Sequence, residues 1–174
     1  GTMTDFTETK QPEWHAQMKK IEKVIISSTT NIGSNAFKGA TSLKSVSLSS
    51  NMNKIGDNAF NGCSQLTTIT LPESLTTIGT NAFASTGITQ IIIPSKVTSI
   101  GNYSFNSQSL TTVEYKGLSD PLSCQSTVFT DKITEVKVPI EYQSNVFCGK
   151  TPRSDGECGD GCTFKYYHNE DKIE

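Results

Sequence analysis

The chain is short of the residues that carry most enzyme chemistry. Of its 174 residues only two are histidines, His15 and His168, and they lie in opposite flanks. A catalytic serine or cysteine needs a base within hydrogen-bond reach, so no Ser-His-Asp or Cys-His arrangement is supported and no catalytic residue is expected. Long apolar runs are also missing, since nothing approaches the roughly 20 residues that cross a bilayer. Gly1-Thr2-Met3-Thr4 has neither the basic nor the apolar part of a signal peptide. An excess of one charge is lacking too. Fifteen basic side chains face 17 carboxylates for a formal charge of −2, which gives no general attraction to nucleic acid or to an anionic membrane. The glycine-rich segment 156–161 contains acids and no Gly-Lys-Ser/Thr ending, which excludes a phosphate loop. No cofactor is implied.

What the chain does have is repetition. A six-residue phrase reads IGSNAF at Ile32–Phe37, IGDNAF at Ile55–Phe60, IGTNAF at Ile78–Phe83 and IGNYSF at Ile100–Phe105, with steps of 23, 23 and 22 residues. A fixed period of about 20–29 residues marks a solenoid of leucine-rich turns. Between the phrases stand β-prone runs beginning at Ile21, Leu43, Leu66, Ile88, Leu110 and Ile133, each patterned apolar-x-x-apolar-x-apolar. The alternating end of that pattern has the period of a strand. Six such runs are expected to stack in parallel as one sheet.

The remaining residues of each turn follow the same logic. Ile32, Ile55, Ile78 and Ile100 should form one inward column, and Phe37, Phe60, Phe83 and Phe105 a second. Gly33, Gly56, Gly79 and Gly101 are expected at sharp turns with positive φ. Asn35, Asn58 and Asn81 should bond turn backbone along the stack, and Pro72, Pro94 and Pro139 should close strands. Pro12 followed by Glu13–Lys20 suits a short helix, with Trp14 covering the open end of the first turn. Cys63 stands where Ala40 stands one repeat earlier and reads as core.

Four further cysteines, Cys124, Cys148, Cys158 and Cys162, are disulfide candidates with three possible connectivities. Such pairing implies an oxidising, extracellular setting. A rival is a Cys₃His metal site from Cys148, Cys158, Cys162 and His168. Their spacings of 10, 4 and 6 match no common finger, so no metal is expected. Asn102-Tyr103-Ser104 is a formal glycosylation acceptor.

Together the phrase Ile-Gly-x-x-Ala-Phe and the runs of Leu66–Pro72 type resemble the BspA-like, or Treponema-type, leucine-rich repeats. The match is tight over Leu66–Phe83 and loosens over 106–139, where Gly117–Pro121 and Cys124–Phe129 replace the phrase. Phe129 is expected to hold the aromatic column there. Gly1–Trp14 resembles the end of the cap preceding such repeats, and Cys158–Tyr166 the opening of another, as if the chain were an excerpt of a longer surface protein. The resemblance implies a non-catalytic module exposed on a cell surface and adhering to host matrix or cell-surface proteins, with fibronectin and fibrinogen as typical ligands. The alternative is a spacer projecting other domains. A more distant one is an intracellular scaffold with a metal-bound tail. The cysteine-bearing tail resembles protozoan versions of the family.

The expected fold is thus a leucine-rich-repeat solenoid, a right-handed coil of 22–24-residue turns with one parallel β-sheet face, little helix and capped ends. Its divisions are a cap over 1–20, repeats over 21–139 and a cysteine-containing cap or new module over 140–174. Residues alternating with the inward ones would line the outer face. There the tentative ligand-binding set is Ser45, Ser47, Thr68, Thr70, Gln90, Ile92, Thr112 and Glu114. This face has no aromatic cluster and no arginine clamp of the kind that dominates tight interfaces. Weak contacts multiplied over several modules would suit it.

Overall fold

Each β-prone run and each Ile-Gly phrase supplies a short extended segment, and equivalent segments of successive turns lie side by side. A computed structural model describes residues 3, 5–6, 10, 12–139, 141–144 and 147–149, and the backbone of 157–158 and 162–167. The strands are β1 (Lys23–Ile25), β2 (Asn31–Ile32), β3 (Ser45–Ser47), β4 (Lys54–Ile55), β5 (Thr77–Ile78) and β6 (Gln90–Ile93). They continue with β7 (Ser99–Ile100), β8 (Thr112–Tyr115), β9 (Glu135–Pro139), β10 (Glu157–Cys158) and β11 (Cys162–Tyr167). On one side of the coil β1 pairs with β3, and β6, β8, β9 and β11 follow one another in parallel, with β10 antiparallel on β11. On a second side β2, β4, β5 and β7 form another parallel ladder.

Two expectations about the sheet need correction. The main sheet is divided: the run Leu66–Pro72 forms no strand, so Pro72 closes none, whereas Pro94 follows β6 and Pro139 ends β9. The second ladder was unforeseen because each rung holds only two residues, too few for a periodic signal.

The two apolar columns are present. Ile32, Ile55, Ile78 and Ile100 are buried, and the phenyl rings of Phe37, Phe60, Phe83, Phe105 and Phe129 stack at 5.4–5.5 Å. Burying each such side chain contributes about 1.5–3 kcal/mol. Trp14 stacks on Phe37 at 5.6 Å and donates its Nε1–H to the Ala36 carbonyl. Phe6 meets Trp14 edge-on. The helical segment behind Trp14 is a 3₁₀ turn, His15–Lys20. At the other end Phe147 packs against Phe129 and Tyr115.

The roles of glycine and asparagine in the phrase are exchanged relative to expectation. Asn35, Asn58 and Asn81 hold positive φ (60°, 54° and 54°), and Tyr103 takes the same conformation at 58°. Gly33, Gly56, Gly79 and Gly101 do not. Gly79 is needed for close approach instead. Its N–H donates to the Ile55 carbonyl at 2.8 Å, and a Cβ there would lie 2.6 Å from the Asp57 nitrogen and the Gly56 carbonyl carbon. Within each phrase alternate amides donate to the next turn, as Asn58 does to Thr80, Phe60 to Ala82 and Gly62 to Ala84. The buried backbone is satisfied along the axis in this way. The asparagine side chains also contribute: Asn35 donates to the Phe6 carbonyl, and Asn58 accepts from Asn61.

Cys63 is fully buried, donates to the Phe37 carbonyl at 3.3 Å, and has its thiol pushed up to about 12 by desolvation. Such a thiol is inert at neutral pH. Cys124 and Cys148 form a disulfide with Cα atoms 4.8 Å apart, close to the spacing of adjacent rungs. Because Ser123 pairs in parallel with Ser99, Cys124 stands where the next isoleucine of the column would be. Cys148 is therefore not a free ligand for a Cys₃His site. The side chains of Cys158 and Cys162, and all of His168, lie outside the described residues. Among the described residues no three His, Cys, Asp or Glu side chains cluster as metal ligands, and no helix is long and apolar enough to cross a membrane.

Candidate binding face

The outer face of the main sheet is set by strand register. Gln90 pairs with Thr112 and Ile92 with Glu114, while Lys23 pairs with Ser45 and Ile25 with Ser47. In the main-sheet strands with described side chains, β1, β3, β6, β8 and β9, the more accessible residues alternate with the more buried ones that enter the core. In β6 the alternation is complete, with Gln90 and Ile92 exposed and Ile91 and Ile93 buried. Of the eight expected face residues, Ser45, Ser47, Thr68, Thr70, Gln90 and Ile92 are exposed, and Thr112 and Glu114 are half-buried. Ile92 remains 45% accessible and Ile25 66%.

The division of the sheet gives this face its relief. A groove of about 380 Å³ lies over Leu66–Pro72 and the flanking strands, and Ser45, Thr68, Thr70, Gln90 and Ile92 line it. Ser47, Thr112 and Glu114 do not. The inward side chains here are less completely covered than those elsewhere in the sheet. Val46, Leu48 and Ile69 are only partly buried, whereas Val113 and Val136 are buried. Val46, Ile69 and Leu71 consequently form an apolar floor. Glu73 and Lys116 add one charge of each sign to its lining. The strand pattern of the sequence places neither. Both stand immediately beyond the apolar run of their turn, at Pro72-Glu73 and Tyr115-Lys116, and that position is the signal that could have found them.

Past the groove the face becomes charged. Glu114 pairs in register with Lys137, whose ammonium lies 3.4 Å from the Glu135 carboxylate. Lys44 and Glu22 form a second, exposed pair at 3.1 Å. Such pairs stabilise little and mostly keep the face soluble. The arrangement offers hydroxyls, one amide and a shallow apolar floor, with no activated nucleophile beside a base. Asn102 is exposed, and its side-chain oxygen accepts from Thr127 Oγ1 at 2.9 Å.

Comparison with known proteins accords with this architecture. Residues 15–134 match the BspA type leucine rich repeat region in six copies. Among solved structures, the leucine rich repeat protein of Treponema pallidum is similar at 27% identity and a TM-score of 0.56, over 69% of this chain and 60% of that one. The pneumococcal vaccine antigen PcpA shares 18% identity over 94% of this chain and 43% of its own, with a TM-score of 0.65. A leucine-rich repeat protein from Bacteroides ovatus shares 19% over 70% and 40%, with a TM-score of 0.51. The latter two identities show a common fold alone. The chain spans 40–60% of the length of these three structures. No curated protein matches it significantly. Six copies of one repeat, stacked as two parallel ladders around a phenylalanine column, establish that the chain belongs to the BspA type leucine-rich-repeat family.

Proposed function

We propose that this chain is a non-catalytic adhesion module of a cell-surface protein. It meets host extracellular-matrix or cell-surface proteins, of which fibronectin and fibrinogen are representative, through the outer face of the main sheet. The observation that carries the reading is the groove over Leu66–Pro72, where exposed Thr68, Thr70, Gln90 and Ile92 surround partly covered apolar side chains. Apolar floor, polar rim and shape relief are what distinguish an interaction surface from a solvated one. The Cys124–Cys148 disulfide supports an oxidising, extracellular location. Membership of a repeat family whose turns build extended surfaces supports protein binding over catalysis. Single-module affinity is modest, and tandem modules on a longer protein raise it through effective concentration.

The test is binding of the purified chain to immobilised fibronectin and fibrinogen across a salt series, repeated with Thr68, Thr70, Gln90 and Ile92 changed together to alanine. Saturable binding that weakens by roughly tenfold or more in the fourfold variant, a loss of about 1.4 kcal/mol, is the expected outcome. Absence of saturable binding sinks the reading and favours a spacer that projects other domains. The lack of any aromatic or arginine anchor among the described residues of the face is the observation on the spacer's side.

A further inference from the structure

A second surface lies at the other edge of the first turn, where charge is segregated. Residues 10–54 contain seven lysines and only two carboxylates, Glu13 and Glu22, although the whole chain is slightly acidic. The fold gathers part of this excess. The 3₁₀ turn His15–Lys20 crosses the end of the coil, and the turn Lys38-Gly39 projects beside it. Between them lies an open groove of about 530 Å³ lined by His15, Ala16, Met18, Lys19, Lys20, Lys38 and Gly39, with no carboxylate among the described residues of its lining. Lys19, Lys20 and Lys38 are exposed and form no ion pair with any described residue, whereas Glu22, the nearest acid in sequence, is paired with Lys44.

We infer that this groove binds a sulfated polysaccharide. Three ammonium groups around one concavity, none paired with a described carboxylate, raise the local concentration of a polyanion well above what the net charge of −2 implies. The kind of polyanion follows from what the groove lacks. Among the described residues the imidazole of His15 is the one ring in its lining, with no phenyl, phenol or indole beside it, whereas single-stranded nucleic acid is held by successive bases stacked on several aromatic side chains. Trp14, the neighbouring indole, is occupied by its stacking on Phe37. Among the described lining residues there is no guanidinium for the forked recognition typical of phosphate, while lysine acts as a compact point charge. Met18 is buried, and exposed Ala16 carries only a methyl group, so among the described lining residues no large apolar side chain is available to insert into a lipid surface. A linear polymer with sulfates spaced along a sugar chain fits: its charges meet the ammonium groups and its ring faces lie on the lysine stems. This site is separate from the groove over Leu66–Pro72, and its occupancy does not depend on that face.

Heparin immobilised on a sensor surface is the probe, with N- and O-desulfated heparin and a single-stranded oligonucleotide of equal charge as comparisons. The variant is K19Q/K20Q/K38Q, and K96Q/K132Q serves as a control for general charge. Heparin binding is expected to fall roughly tenfold or more between about 50 and 200 mM salt, as counterion release at about three contacts requires. The triple variant should weaken it by about tenfold, and the control should leave it unchanged, with thermal unfolding unaltered in both. Unchanged binding by the triple variant, binding to desulfated heparin as strong as to heparin, or stronger binding to the oligonucleotide would each overturn the inference. The T68A/T70A/Q90A/I92A variant keeps heparin affinity if the two sites are distinct. Failure of either site is therefore read separately.

Discussion

Single residues decide whether a turn of this coil can close. The phrase position held by Asn35, Asn58 and Asn81 must adopt a left-handed conformation, which asparagine tolerates and most side chains resist by about 1–2 kcal/mol. Asn58→Ala should therefore destabilise the protein by about 1–2 kcal/mol, whereas Asn58→Gly should stay within a few tenths. In the fourth copy Tyr103 occupies this position, 46% exposed, with φ of 58°. Tyr103→Asn should raise stability by about 1 kcal/mol, seen as a higher denaturant midpoint at unchanged slope. A second residue-scale prediction concerns Asp120. Burial raises its pKa, although it accepts hydrogen bonds from the Cys148 amide at 2.9 Å and from Tyr142 Oη at 3.2 Å. A carboxyl whose folded pKa lies above its unfolded value favours the fold most below the unfolded value, near about 4, and loses that contribution as pH rises through the folded pKa. Asp120→Asn retains an accepting oxygen and removes the desolvated charge. It should be at least as stable as the parent at about pH 7, with the difference vanishing as pH falls toward about 4. A melting-temperature profile that stays parallel to the parent's across this range would refute it.

Elements are the scale at which the repeat works as a packing device. Phe60 has a ring on either side and no exposed surface, so Phe60→Ala should cost about 3–5 kcal/mol. Ile25→Ala, on the exposed face, should stay within about 0.5 kcal/mol. Parallel urea titrations compare them, and equal losses would contradict the column. Much of this scale is legible in the sequence. The Phe and Ile columns recur at fixed intervals, and any residue repeated at the period of a coil must occupy the same place in each turn. Phe129 was legible for the same reason, despite the altered phrase around it. Three features were not. Glycine is the default residue for positive φ, so nothing in Ile-Gly-x-Asn reveals that asparagine bends the chain while glycine admits the next backbone. Leu66–Pro72 has the same apolar pattern as the runs that pair, so the pattern does not distinguish the turn at which the ladder breaks. The cationic groove joins Lys19 and Lys20 to Lys38, residues related by no repeat.

At the scale of the whole molecule, stability is close to a sum of turns and the contacts between neighbours. The phenylalanine column is covered at its N-terminal end by Trp14 and Phe6 and at its other end by Phe147, with the Cys124–Cys148 bridge nearby in the chain. The bridge joins residues 24 apart, one turn to the next, and a loop of that size should contribute about 3 kcal/mol. Replacing both cysteines by alanine should lower the melting temperature, and the double variant should no longer respond to oxidation at this pair. A melting temperature equal to the parent's would show that packing around Phe147 alone holds this end. The distribution of charge belongs to the same scale: residues 10–54 carry seven lysines against two carboxylates, while the chain as a whole is slightly acidic.

The covalent link between consecutive turns has a mechanical consequence. When the chain is stretched from its termini, each turn held only by hydrogen bonds and stacked rings can peel away. A turn of 23 residues would then release about 75–80 Å of contour length. The stretch between Cys124 and Cys148 cannot lengthen in this way while its sulfurs remain joined. Under load the unbridged turns would thus draw out while the stretch between the two sulfurs held firm, and reductant would add one more step of similar length to the trace.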